Sequence, residues 1–379
     1  MMEPLKYFQV NWVDGMKINK QHFIALENAI NDHLMNAFAV GLNDYNYGLL
    51  PPFSGKSSSL KIVLNTDNQN HLKVKIIDCR AITIGGARIE ILENSTDIHG
   101  FSIPLPEVDY EIDSSKEAHF FVQLSVQPFS RIPVGNADPS EEPPRYPFTV
   151  PEIKAHIIPE DQVTQKEMGS YFVCIGKIKM VEGKPEIIGE YIPPCSSIQS
   201  HSRLKDIHSK YDNFFGQLEL DLLKILRKIK EKEQSNELAK VVSLLSANIL
   251  FFLSTGILEF RWKIANQPPI SMFEFVARCA RIIKNTIDAN SGKAKEELLN
   301  YFMDWCNLNQ GEFENILINT VNFQYEHTRI QRTAAIFDQF VDVISTLFEK
   351  LSVLEYIGKK KDTGIFVKEQ QGKKSFLAD

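Results

Sequence analysis

The side chains best suited to catalysis or metal binding are a few histidines and one acidic pair. His201 and His208 lie seven residues apart and could share a helix face, but no nearby Cys or Asp cluster completes a metal site. Glu141 and Glu142 would suit acid–base chemistry, although adjacent residues in a proline-rich segment rarely point into one cleft. His327 follows an aromatic stretch, and packing against its neighbours is favoured over a catalytic role. We therefore expect no catalytic residue, no metal and no cofactor.

Motifs for phosphate binding or for a catalytic nucleophile are also absent from the sequence. The chain contains no G-x-S-x-G, no P-loop and no G-x-G-x-x-G, and Gly85–Gly86 is more typical of a hairpin turn between two strands. The five cysteines include no C-x-x-C pair, which argues against a disulfide framework and for a reducing compartment. These features favour a cytoplasmic protein that is not an enzyme.

Charge and proline content divide the chain near residue 195. Residues 1–195 hold 17 Lys and Arg against 25 Asp and Glu, a net charge of -8, and the remainder balances to +2, which gives the total of -6. Such a chain is not an electrostatic nucleic-acid binder. Sixteen of the 18 prolines lie at or before Pro194, and proline is excluded from helix interiors. The first part should therefore be strands and turns, and the second part helices.

The predicted architecture is α+β, with an antiparallel β-sandwich domain over residues 1–195 and a helical bundle over 196–358. One early helix, Lys20–Phe38, interrupts the strands, because its apolar residues recur at helical spacing. A basic tail covers residues 359–379. The strand predictions are short β-rich runs bounded by turn residues, namely Leu60–Leu64, Leu72–Ile77, Ala87–Leu92, Phe120–Val126, Ile153–Ile158 and Tyr171–Lys177.

Residues 128–151 are too rich in proline for a central strand. They form either an arm that contacts a partner or a solvated loop. If they form an arm, the candidates for contact with a partner or a neighbouring subunit are Arg131, Arg145, Tyr146 and Phe148.

The most apolar segment is Val241–Leu258, which carries no formal charge over 18 residues. A membrane anchor would need about this length. Its Ser, Thr, Asn and Gly residues instead favour a helix that is buried on most of its circumference. The short helices around it in the sequence leave little to cover it within one chain, so we expect it to line a contact between subunits, with no transmembrane segment.

Four stretches of the chain resemble signatures of TssK, a baseplate subunit of type VI secretion systems. The first is a W-x-E-G-M-x-L-x-P-Q-H-F-like opening, from which Lys20 departs because it replaces the usual proline. Further resemblances are Tyr47-Gly48-Leu49, an I-P-P-C junction with Ile192, Pro193 and Pro194, and Phe323–His327. The matching residues of the opening are Trp12, Gly15, Met16, Gln21, His22 and Phe23.

The resemblance implies a homotrimeric structural adaptor that acts without catalysis in a contractile injection system. A β-sandwich "shoulder" would dock onto the wedge proteins TssF and TssG, and a helical "neck" would form the trimer. The opening motif is expected to fix the start of the shoulder rather than to touch a wedge protein. The predicted trimer contacts are Val241, Leu245, Ile249, Phe252 and Leu253.

A C-terminal "head" that binds the membrane complex is expected to be missing, because only about 23 residues follow the last predicted helix. Any contact with a membrane-complex component would then not involve such a head. The expected location is the cytoplasmic side of the inner membrane, where the baseplate docks. The alternative is a phage-tail-like β-sandwich on a helical stalk that binds a glycan or a receptor.

Overall fold

The computed structural model describes residues 4–66, 71–111, 119–160, 169–181, 184–290, 292–306 and 308–358. The predicted basic tail, 359–379, lies outside these residues. The described chain is α+β, with antiparallel sheets first and helices after them, as the sequence predicts. The predicted early helix is α1, Lys20–Ala39.

The first sheet has five strands, and its long central strand β3 pairs antiparallel with each of the other four. Strand β3 alternates half-buried and buried residues along most of its length, the period-2 pattern of a sheet with one covered face. The strands are β1 (Gly48–Leu49), β2 (Leu60–Thr66), β3 (His71–Ile82), β4 (Arg88–Ile91) and β5 (Glu107–Glu111), with a short helix α2 (Ser95–His99) between β4 and β5.

The second sheet has the strand order β7-β6-β8-β9, and all of its pairs are antiparallel. Its strands are β6 (His119–Val134), β7 (Phe148–Pro159), β8 (Phe172–Val181) and β9 (Lys184–Ile187). The two sheets contact each other through an edge-to-face pair of Tyr110 on β5 and Phe120 on β6, whose ring centroids are 5.3 Å apart.

The proline-rich segment is largely part of this second sheet. Strands β6 and β7 extend as a hairpin as far as the pair Val134 and Phe148, and the tip holds an isolated bridge between Asp138 and Arg145. β7 ends the strand order, an edge position at which proline is tolerated.

Six longer helices follow, all within residues 196–358, where the sequence predicts a helical bundle. They are α3 (Ser202–Glu231), α4 (Glu237–Leu258), α5 (Pro269–Asp288), α6 (Lys293–Cys306), α7 (Gln310–Val321) and α8 (Ile330–Val353). The start of α7 shows how the sequence sets a boundary. The Asn309 side chain caps the backbone N–H of Glu312, and the Glu312 carboxylate accepts from the N–H of Asn309.

The chain forms two compact units that do not follow its linear order. The first unit contains Met1–Lys210, Leu258–Phe275 and Gln324–Ala335, and the second contains Tyr211–Ile257, Val276–Phe323 and Ile336–Asp379. The second unit has an aromatic core in which Phe214 packs against Phe340 and Phe302 against Phe313. The first unit holds the sheets and the residues of the junction described next.

Candidate functional site

Three of the sequence signatures meet at one buried junction in the first unit. The backbone N–H of Leu49 donates to the carbonyl of Pro194 at 2.7 Å, and the N–H of Ser196 donates to the carbonyl of Leu49 at 2.9 Å. His327 Nε2 lies 2.9 Å from the carbonyl of Tyr47. Segments up to 280 residues apart in the sequence are therefore joined by hydrogen bonds.

Burial fixes the protonation of His327 in this junction. A carbonyl can only accept, so Nε2 carries the proton, and Nδ1 accepts from the Tyr325 hydroxyl at 2.8 Å. The side chain is almost completely buried, and loss of solvation lowers the pKa of His327 to about 4, although the hydrogen bond to Tyr47 opposes this shift. A neutral, enclosed imidazole that uses both nitrogens to hold backbone and side chain is a structural element, as the sequence favoured.

This junction should make the protein sensitive to acid. The unfolded state binds a proton at His327 near pH 6.5, whereas the folded state does so only near pH 4, so the free energy of unfolding falls as pH drops through this window. The full loss from this group is about 3 kcal/mol.

A His327→Gln variant isolates this effect, since His156 and His201 also have lowered pKa values through burial and contribute to the same window. Chemical denaturation at pH 7.5 and pH 4 should show wild type losing about 3 kcal/mol more than the variant. An equal loss in both proteins would contradict the assignment.

The opening signature forms a turn and the start of helix α1. Gly15 adopts a left-handed conformation, φ +80°, in a turn. Asn19 is the N-cap, and its oxygen accepts from the N–H of Gln21 at 2.9 Å, while Nδ1 of His22 accepts from the N–H of Asn19 at 3.2 Å. Gly15 and His22 therefore shape the entry into the helix, and the rings of Trp12 and Phe23 remain about half exposed.

Helix α1 turns its apolar stripe outward. Apart from Met35, its buried face is polar or small, and Asp32 on that face accepts backbone N–H groups of Lys6 and Tyr7. The outward face is apolar and exposed, with Phe23, Ile30, Leu34 and Phe38. An exposed stripe of this kind is typical of a surface that another protein covers.

The four candidate arm residues divide into two pairs. Arg131 forms an ion pair with Glu27 and donates to the side-chain oxygen of Asn28 at 2.8 Å, so it ties the hairpin to α1. Arg145 is bound by both carboxylate oxygens of Glu141 within the hairpin tip. The rings of Tyr146 and Phe148 are exposed. Contact with a partner is thus open to the aromatic pair, while both arginines already have partners within the chain.

The predicted subunit contacts on α4 lie mostly inside the chain. Leu245, Ile249 and Leu253 are fully buried, and Val241 and Phe252 are partly buried. The stretch Glu237–Asn266 is long and apolar enough to cross a membrane by length and composition, yet only 28% of its most apolar window is buried. Within one chain the helix is therefore covered along one face only, and its expected role in a contact between subunits stays a prediction.

The exposed side of α4 carries an apolar pattern that sequence reasoning missed. Val241, Leu244, Asn248, Phe251 and Thr255 follow one another in steps of three and four, the spacing of a coiled-coil seam. Leu244 is 53% exposed and Phe251 is 73% exposed. We call these five residues the α4 stripe. The 3–4 spacing of the α4 stripe is present in the sequence. It overlaps with the apolar pattern of the buried residues Leu245, Ile249 and Leu253, so the sequence alone did not separate the two faces.

Metal chemistry finds no support in the described part of the chain. Among the described residues, no three His, Cys, Asp or Glu side chains are grouped so that they could hold a metal ion. His201 is mostly enclosed, and the ring of His208 stacks on Phe260 at a centroid distance of 4.6 Å. Glu141 binds Arg145 rather than facing a cleft with Glu142.

Comparison with known proteins gives a likeness in structure rather than in sequence. No protein-family model and no curated protein matches the sequence. A crystal structure of TssK matches with a TM-score of 0.52 at 11% identity, over 92% of this chain and 70% of that one. A structure titled as the baseplate complex from the type VI secretion system covers 90% of this chain and 99% of its own, at 11% identity and a TM-score of 0.49.

A cryo-electron microscopy structure of a TssK-TssF-TssG baseplate subcomplex is also similar, at 12% identity and a TM-score of 0.45, over 91% of this chain and 100% of that chain. The match to the TssK crystal structure, at a TM-score of 0.52, spans both the sheets and the helices. The resemblance in the sequence signatures is thus matched by a resemblance in fold. Over most of its length, this chain has the fold of TssK.

Proposed function

We propose that this chain is a non-catalytic structural subunit of a type VI secretion baseplate. The single observation that carries the proposal is the likeness to TssK over 92% of the chain. The sequence signatures support it, because the matched residues around Gly48, Pro194 and His327 build one structural junction. A subunit of this kind acts in the cytoplasm, at a baseplate docked to the inner membrane, and links the wedge to the membrane complex.

The proposal includes a homotrimer, with the α4 stripe as the contact between copies. A stripe with 3–4 spacing buries its apolar residues when it packs against the same stripe of other helices. Burial of a Phe or Leu side chain contributes about 1.5–3 kcal/mol, and Leu244 and Phe251 remain unburied in one chain. Leu245, Ile249 and Leu253 then support the helix from inside, so of the contacts first predicted only Val241 belongs to the α4 stripe.

The proposed partners of the first unit are TssF and TssG, by analogy with the similar TssK-TssF-TssG subcomplex. The exposed apolar residues of α1, together with Tyr146 and Phe148, give this unit surfaces suited to protein contact.

Co-expression tests these partners directly. The tagged full-length chain, produced with the TssF and TssG proteins of the same organism, should retain both through affinity and size-exclusion chromatography. TssF and TssG produced with the tag alone serve as the control. If TssF and TssG form their own complex and leave this chain behind, the proposed role is wrong.

A further inference from the structure

An open groove of about 600 Å³ lies within the first unit. One wall comes from β4, α2 and the segment that follows α2, and the other from the outer part of the β6–β7 hairpin. A volume of this size lies in the range of binding sites, about 300–1,000 Å³. The lining is predominantly apolar and includes Phe101, Ile103, Leu105, Ile132, Val150 and Ile153.

The apolar walls of this groove remain open to solvent. Phe101, Ile103 and Val150 are each only half-buried, although they belong to a unit with a well-covered core. Phe148 is 57% exposed at the same groove and stacks on Phe101, with ring centroids 5.6 Å apart. A continuous exposed apolar surface is typical of a binding site, whereas single exposed apolar residues are common on any protein surface.

The groove runs beside an edge strand. Strand β7 ends the order of its sheet and pairs with β6, and among the described strands no other strand pairs with β7. An edge strand next to apolar pockets can take an added strand, whose backbone pairs with the edge while alternate side chains enter the pockets. The groove-lining residues Phe148–Ile153 span about six residues, roughly 20 Å of extended chain. Pro151 among them has no backbone N–H, so an added strand would pair with the residues on either side of it.

The net charge of the region that holds the groove favours a peptide with basic residues. Arg88 forms an ion pair with Glu90, and Lys154 forms one with Glu152, so these charges offset each other. The region of residues 1–195, to which every lining residue of the groove belongs, carries a net charge of -8, which favours a partner segment with basic residues.

We propose that this groove binds an extended peptide segment of a partner protein, one with alternating aliphatic or aromatic side chains and flanking Lys or Arg residues. The proposal rests on the proposed function, since a baseplate adaptor requires a protein partner for its sheet unit. It adds the place of contact and the chemistry of the segment that fits there.

The probe for this site is a set of overlapping 12-residue peptides that cover the TssF and TssG sequences of the same organism. Fluorescence anisotropy with the full-length chain should find peptides of the stated pattern that bind. Val150→Trp, which fills the groove, should weaken binding at least tenfold, and Leu105→Asn should weaken it similarly. Ile187→Trp is the matched control, because Ile187 is exposed on β9 at the other end of the same sheet, and it should leave binding unchanged.

The melting temperature of each variant shows whether it is folded. Binding is then compared with wild type only for those of Val150→Trp and Leu105→Asn that melt at the wild-type temperature. The proposal is overturned if the folded groove variants bind peptides as well as wild type does. It is also overturned if no peptide binds, or if dodecanoic acid binds the groove and peptides do not.

The outcome separates this inference from the proposed function. If wild type fails to retain TssF and TssG, the proposed function itself is wrong. If wild type and a folded groove variant retain them equally, the proposed function stands and the groove is not the contact.

Discussion

Phe251→Asp is expected to convert a particle of three times 43.3 kDa into a single chain of 43.3 kDa. Phe251 lies in the middle of the α4 stripe and is 73% exposed in one chain, so its replacement costs the folded chain little. In the trimer the same change removes about 2–3 kcal/mol of apolar burial from each chain, or about 6–9 kcal/mol in total. It also brings three carboxylates together, which further opposes association.

Light scattering coupled to size-exclusion chromatography measures this change. Val353→Asp is the matched control, because Val353 is equally exposed, at 73%, in the same unit but on a different helix, α8. Wild type and Val353→Asp should both give the trimer mass. A trimer that survives Phe251→Asp would show that the α4 stripe is not the seam, and a monomeric wild type would remove the trimer altogether.

Leu245→Asp separates association from folding on the same helix. Leu245 is fully buried within one chain, and a charge there has no water and no partner. We expect a loss of about 4 kcal/mol or more in the free energy of unfolding, seen as a lower denaturant midpoint. A folded, dissociated Leu245→Asp protein would instead support the face first predicted from the sequence.

Gly48→Ala is expected to destabilise the first unit strongly. Gly48 has φ +104°, a conformation that a side chain rarely adopts, and an added Cβ atom would lie 2.1 Å from the carbonyl oxygen of Pro194. That carbonyl already accepts a 2.7 Å hydrogen bond from Leu49, so the backbone cannot move away without breaking the junction. We expect a loss of about 4 kcal/mol or more, against a typical domain stability of about 5–15 kcal/mol.

Gly189→Ala is the control for this substitution. Gly189 lies in the same unit, has no positive φ, and an added Cβ atom there would meet nothing within 4 Å. The free energy of unfolding of this variant should match that of wild type within about 0.5 kcal/mol. Similar midpoints for the Gly48 and Gly189 variants would show that the close approach to Pro194 does not constrain the junction.

Helix α1 shows where the sequence pattern was informative and where it was incomplete. Its period correctly predicted a helix over Lys20–Phe38, and the structure places it at Lys20–Ala39. The pattern did not show which way the apolar stripe faces: it lies outward, and the inward face holds Asn28 and Asp32. This polar face can be buried because Arg131 and the backbone of Lys6 and Tyr7 donate hydrogen bonds to it. These donors are distant from it in the sequence.

The proline-rich segment posed a different problem. Its prolines argued against a central strand, yet residues 128–134 belong to β6, which lies between β7 and β8. The printed pairs of β6 with β8 end at Ser125, so this part of β6 pairs with β7 alone in the outer part of the hairpin. The contacts of Arg131 and Arg145 could not be predicted from composition. Arg131 reaches Glu27 on α1, more than a hundred residues earlier in the chain, while Arg145 takes a carboxylate four residues away.

Local chemistry was enough to locate the strands and helices, because proline exclusion, apolar period and capping residues act over a few neighbouring positions. Helix α4 could be located in this way, but its period was compatible with more than one buried face. Contacts between distant segments decide the rest: which face of α4 is buried, how Gly48, Pro194 and His327 meet, and where the groove beside β7 forms. Such contacts exist only after the chain has packed, since burial and hydrogen-bond satisfaction are properties of the whole unit.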